Sequence, residues 1–138
     1  MTAKVAQTIE KYADRPFLLG YRQSPEEPMT PGITLAESLA FAQKIAALPV
    51  DYLHLALKDA FQTPFKDKSD TETIIAHYRR VLPADMPLMV AGLLKKPDQV
   101  ERLMDEGLTI AALGRELINE PNCVQKVIQH DIQAIRYA

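Results

Sequence analysis

The feature that most constrains this chain is a strict alternation of two kinds of segment. Short, nearly continuous apolar runs stand at Phe17–Tyr21, Val50–Leu57, Pro87–Leu94 and Leu108–Leu113. Each has the length of a strand, and most are bounded by Pro, Gly or Asp. Stretches with helical amphipathic spacing lie before, between and after them. Near-continuously apolar strands interleaved with helices predict a parallel sheet covered by those helices. The predicted order is α-β-α-β-α-β-α-β-α, in one α/β domain over residues 1–138. Two architectures satisfy that order. One is a small doubly wound sheet with helices on both faces; the other is half of a (β/α)8 barrel with helices on one face. Four βα units in about 120 residues match half of a barrel of about 250. Periodicity alone leaves both open.

The helices carry their own signals. Thr34-Leu35-Ala36-Glu37 reads as a capping box, in which hydroxyl and carboxylate satisfy orphan amides at a helix start. Leu35, Leu39, Ala42, Ile45 and Ala46 then share one face. Ser69-Asp70-Thr71-Glu72 reads as a second box, opening a helix that runs to about Arg80. Pro97 suits the first turn of a third helix and Gly107 its stop, with Val100, Leu103 and Met104 inward. Pro121 is expected to open a last helix with the stripe Val124, Val127, Ile128 and Ile132, and an N-terminal helix is expected over Thr2–Tyr12.

Composition narrows the function classes. The net charge of −2 gives no basic footprint for nucleic acid. No apolar run approaches the roughly 20 residues that span a bilayer. The charged stretch Met1–Asp14 lacks the apolar core of a signal peptide. The single cysteine, Cys123, excludes an internal disulfide and a multi-cysteine metal site, and is expected to be a small packing residue. These features together predict a cytoplasmic protein.

Residues at the strand ends carry a resemblance. Phe17-Leu18-Leu19-Gly20-Tyr21-Arg22-Gln23-Ser24 resembles the fifth barrel strand of the old yellow enzyme family of NADH:flavin oxidoreductases, which ends in a similar Gly-x-Arg-x-Ser. Val50-Asp51-Tyr52-Leu53-His54-Leu55 resembles the sixth strand and Pro87-Leu88-Met89-Val90-Ala91-Gly92 the seventh. Ala111-Ala112-Leu113-Gly114-Arg115-Glu116-Leu117-Ile118-Asn119-Glu120-Pro121 resembles the eighth, with its Gly-Arg and downstream proline. Each motif is weak alone; the four in register cover nearly the whole chain. Two departures stand out. Ala91-Gly92 replaces a common Gly-Gly, and Thr109 stands where an acidic residue is common. The resemblance implies the C-terminal half of a TIM barrel, strands five to eight. It leaves out the first four strands, which in that family bind and protonate the substrate.

The site follows from both lines of reasoning. Glycines at strand ends let backbone amides approach an anion closely, and the loops after strands seven and eight are the recurrent phosphate position of this barrel. Gly92 and Gly114 occupy those places, with the alternative that both are plain turn glycines. Arg115 would offer a planar fork to phosphate oxygens, or else start a helix at the surface. Residues 116–119 are expected to form a short extra helix. The resemblance implies that Arg22 reaches the flavin ring and favours its anionic reduced form. His54, mid-strand in an apolar setting, is expected to be a satisfied core histidine. Lys95 and Lys96 follow strand seven as a solvated pair or as added positive potential. The stretch 58–70, with Phe61 and Phe65, is expected either as a substrate-side loop or as packing for the helix layer.

The resemblance implies a fragment of an FMN-dependent NAD(P)H oxidoreductase of the ene-reductase type. Its cofactors would be FMN with NADH or NADPH as reductant, and its partner substrate a small-molecule electron acceptor. The chain alone is expected to be inactive. It is expected to form a homodimer or larger even assembly, or to be completed by a missing N-terminal half. The alternatives are a non-enzymatic half-barrel and a doubly wound module for another phosphorylated ligand.

Overall fold

The computed structural model describes residues 1–137. Helix α1 (Thr2–Tyr12) precedes β1 (Gly20–Gln23), α2 (Leu35–Ala46), β2 (Tyr52–Ala56), α3 (Ile74–Val81), β3 (Leu88–Ala91) and α4 (Pro97–Asp105). Strand β4 (Ile110–Ala112) and two short helices, α5 (Arg115–Asn119) and α6 (Cys123–Ile128), complete the elements, followed by a 3-10 turn at Ile132–Ala134. All four strands are parallel and sit in chain order, β1-β2-β3-β4. A doubly wound sheet reverses its order at a switch point. This sheet does not reverse, so right-handed crossovers carry each helix to the same face. That is the arrangement of consecutive βα units in a (β/α)8 barrel, and it removes the doubly wound alternative.

The core confirms the one-sided covering. Leu53, Leu55, Leu88 and Val90 point to one face and are buried against Ala42 and Ile45 of α2, Ile74, Ile75 and Tyr78 of α3 and Leu103 of α4. The opposite face takes the alternate residues. Strand register sets Gly20 beside Tyr52, then the row Arg22, His54, Met89 and Ile110, then the row Ala56, Ala91 and Ala112. Among the described residues no helix covers this face, and Ile110 remains 37% exposed on it. A Cβ on Gly20 would sit 2.1 Å from Cζ of Tyr52, so the tyrosine ring lies directly on the Gly20 backbone.

Local chemistry sets the element ends. The Thr34 box forms as read: Thr34 N–H donates to Glu37 Oε2 at 2.9 Å and Glu37 N–H to Thr34 Oγ1 at 3.3 Å. Helix α4 starts at Pro97, and Gly107 follows its end at φ +93°, where a side chain is strained. The second box does not form. Ser69 donates its N–H and hydroxyl to Asp67 Oδ1, and Glu72 N–H goes to Asp70 Oδ1. These aspartate turns hold the segment out of helix. Thr73 caps α3 instead, accepting from Ala76 N–H at 3.2 Å.

The first and last elements also differ from the reading. Phe17 and Leu18 are 58% and 73% exposed and precede the sheet, because pairing starts only where β2 begins. Leu19 is held there by Asp51, whose carboxylate takes its N–H at 2.6 Å and whose own N–H goes to Leu19 C=O. The last helix begins at Cys123, two residues after Pro121, and stops at Ile128. His130 adopts φ 58°, and Asp131 N–H returns to Lys126 C=O, a left-handed helix stop. The expected stripe is therefore split, with Ile128 and Ile132 exposed and Cys123 buried. Met104 is likewise exposed rather than inward, whereas Leu103 is fully buried. No residue of α1 is buried.

Candidate phosphate-binding cleft at the strand ends

The C-terminal ends of β3 and β4 frame a cleft of about 270 Å³. Gly92, Gly114 and Arg115 line it together, with Lys95, Leu93 and Glu116. The two glycines differ in what they do. A Cβ on Gly92 would lie 2.7 Å from Ala60 N and 2.9 Å from Asp59 C, so its missing side chain admits the loop after β2. That contact is sealed by Ala60 N–H donating to Gly92 C=O at 3.0 Å. A Cβ on Gly114 would meet nothing within 4 Å, so the backbone there is open to approach from the cleft. Leu93 follows Gly92 at φ 44°, an uncommon conformation for a leucine that turns the chain across the cleft rim.

Charge at the cleft is mixed. Arg115 is exposed at the start of α5, the short helix expected after the Gly-Arg pair. Lys95 also lines the cleft, whereas Lys96 lies over the Tyr137 ring at 5.9 Å. Glu116 is only 2% exposed, and neither of its carboxylate oxygens has a hydrogen-bond partner. Sequence reasoning passed over Glu116, since a glutamate in the first turn of a helix is ordinary. Only its burial marks it.

Arg22 does not join this cleft. It stands on the uncovered face, beside His54 in register, and lines a separate hollow of about 880 Å³ with Ser24, Glu27 and Phe41. His54 is not the satisfied core histidine expected. Its Nε2 is shielded from solvent and makes no hydrogen bond, and burial, then the Arg22 charge, hold its imidazole below the ordinary histidine range. Burial pushes the Tyr78 hydroxyl up to about 12, against the hydrogen bond that Gln23 Nε2 donates to it and the neighbouring Ser38 hydroxyl.

The loop after β2 packs rather than stands open. Phe61 leans on the core with the Arg102 guanidinium 4.4 Å from its ring centre. The buried Glu26 carboxylate, from the loop after β1, accepts the backbone N–H groups of Phe65 and Lys66. Thr109 Oγ1 accepts from Leu88 N–H at 3.1 Å, so the threonine joins β3 to β4. No helix among the described residues is long and apolar enough to cross a membrane.

Sequential parallel βα units, with a glycine-rimmed cleft where neighbouring strands end, define part of a (β/α)8-type fold. The sequence profile of the NADH:flavin oxidoreductase / NADH oxidase family matches residues 2–133, and the chain belongs to that family. It is 31% identical over 124 residues to the probable NADH-dependent flavin oxidoreductase YqiG of Bacillus subtilis (strain 168), covering 90% of this chain and 33% of that protein. It is 33% identical over 130 residues to the NADH:fumarate oxidoreductase of Klebsiella pneumoniae (strain 342), covering 92% and 14%. It is 26% identical over 132 residues to the NADH:acrylate oxidoreductase of Vibrio harveyi, covering 94% and 13%. The chain thus spans a third or less of the length of these curated relatives.

Proposed function

We propose that this chain supplies the cofactor-holding part of an FMN-dependent NAD(P)H oxidoreductase of the ene-reductase type, and is inactive alone. The observation that carries this reading is the convergence of Gly92, Gly114 and Arg115 on one cleft at the ends of adjacent strands. The residues fit a phosphate group. Arg115 offers a bidentate cation, Lys95 adds positive charge, and the open backbone at Gly114 lets an anion come close. Glu116 opposes them as a buried carboxylate.

FMN, when bound, supplies hydride acceptance from a nicotinamide and hydride donation to the acceptor. The chain's part is to bind and orient. Arg115 and the backbone at Gly92 and Gly114 hold the phosphate. Arg22, on the uncovered face, supplies a cation toward the ring and favours its reduced form. The alanine row Ala56, Ala91 and Ala112 keeps the upper uncovered face shallow, leaving room for a flat group above it. The rest of the barrel brings the acceptor contacts and the proton donor, from further chain or from a partner.

Fluorescence titration of FMN tests this. Pockets normally enclose most of a ligand, and these four strands provide half of such a wall, so binding is expected at micromolar dissociation constants or weaker. Arg115→Ala should weaken it about tenfold or more with an unchanged far-ultraviolet spectrum, as loss of a charged hydrogen bond predicts. Equal binding by the variant would remove Arg115 from the site. Nanomolar binding with NADH or NADPH oxidation by the chain alone would overturn the need for the other half.

A further inference from the structure

A second cluster lies away from the cleft, where the loop before α3 meets the first turns of that helix. Thr73 caps α3, which sets His77 one turn in, with its side chain leaning back toward the N-terminus. Asp70 is fixed in front of it, since Glu72 N–H engages Asp70 Oδ1 while Oδ2 meets His77. His77 Nε2 lies 2.8 Å from that Oδ2 and 3.7 Å from Glu72 Oε2. One ligand atom from each of the three residues falls within 4.8 Å of the others. Nε2 is shielded from solvent, and its close polar contacts are these two carboxylates.

We propose that Asp70, Glu72 and His77 form a binding site for a divalent transition cation of the zinc class. Ligands about 2.0–2.2 Å from a tetrahedral ion stand about 3.3–3.6 Å from one another. The two separations from His77 Nε2, 2.8 and 3.7 Å, bracket that spacing, and the three ligand atoms all lie within 4.8 Å of one another, so side-chain movement can seat an ion. One imidazole with two carboxylates suits zinc, cobalt or nickel over calcium or magnesium, which take all-oxygen sets. A hollow of about 410 Å³, lined by Asp70 and His77, adjoins the cluster and admits water to the open coordination positions. Arg80 pairs with Glu72 but is 60% exposed, so it can swing to solvent when the ion takes the carboxylate. The sequence order Asp-x-Glu-x4-His stands on one continuous segment, so the site needs no other part of a barrel.

Calorimetric titration of the chain with zinc chloride at neutral pH tests the site. One equivalent should bind at micromolar concentration, with an upward shift in the thermal midpoint. Binding should fall at least tenfold in His77→Ala and in Asp70→Asn. Glu72→Gln, at a half-buried loop position outside α3, retains the side-chain shape and should weaken binding as well. His54→Ala and His130→Ala should leave it unchanged. Absence of zinc binding overturns the proposal. So does one-equivalent binding that survives Glu72→Gln and His77→Ala, or that is lost in His54→Ala or His130→Ala.

Discussion

Arg22 and His54 are register partners on neighbouring strands and face the same uncovered side of the sheet. Burial and the guanidinium both depress the imidazole pKa, burial more. The folded protein therefore favours neutral His54 relative to the unfolded chain. The stability this contributes is full above the ordinary pKa of about 6.5 and declines as pH falls through that value toward the lower folded one. Nuclear magnetic resonance titration should show His54 with a midpoint below 6.5, moving upward in Arg22→Ala. An unmoved midpoint in the variant would separate the two residues electrostatically.

Gly92 and Gly114 should respond oppositely to alanine. Gly92→Ala drives a methyl group into the backbone of Asp59 and Ala60 and should cost about 1–3 kcal/mol of stability. Gly114→Ala meets no neighbour, so it should leave stability nearly unchanged while weakening FMN or phosphate binding by crowding the open backbone. Denaturant unfolding and FMN titration of both variants check this; equal stability losses would contradict it.

Among the described residues that line the cleft, Glu116 is the acidic one. Glu116→Gln removes that charge while retaining shape, and should strengthen binding of FMN or inorganic phosphate several-fold. Weaker phosphate binding in this variant would mean that the carboxylate supports the site through another group.

The uncovered face and the two open strand edges, β1 and β4, predict self-association in the absence of the rest of the barrel. Tyr52, Met89 and Ile110 are the larger apolar side chains there, and covering them favours a symmetric pair. Light scattering during size-exclusion chromatography at micromolar concentration should give a dimer or larger even assembly. A well-folded species at 15.5 kDa would refute it.

Element types were legible because alternation, the Thr34 box, Pro97 and Gly107 each act within a few residues. Strand parity was not legible, since the runs are apolar on both faces. Leu53 and Leu55 versus Tyr52 and His54 are sorted only by the helices above them. The second capping box failed because Asp67 and Asp70 compete for the same amides. Gly92, Gly114 and Arg115 were readable as strand-end residues, while the burial of Glu116 depends on how α5 folds back, which no local pattern encodes.

The proposed seat of the cofactor phosphate lies between the ends of β3 and β4. Backbone amide shifts of isotopically labelled protein, followed during FMN titration, test it directly. Saturable shifts are expected at Gly92, Leu93, Gly114, Arg115 and Glu116, reproduced in part by inorganic phosphate. Shifts confined to other elements, or none at millimolar FMN, would contradict it.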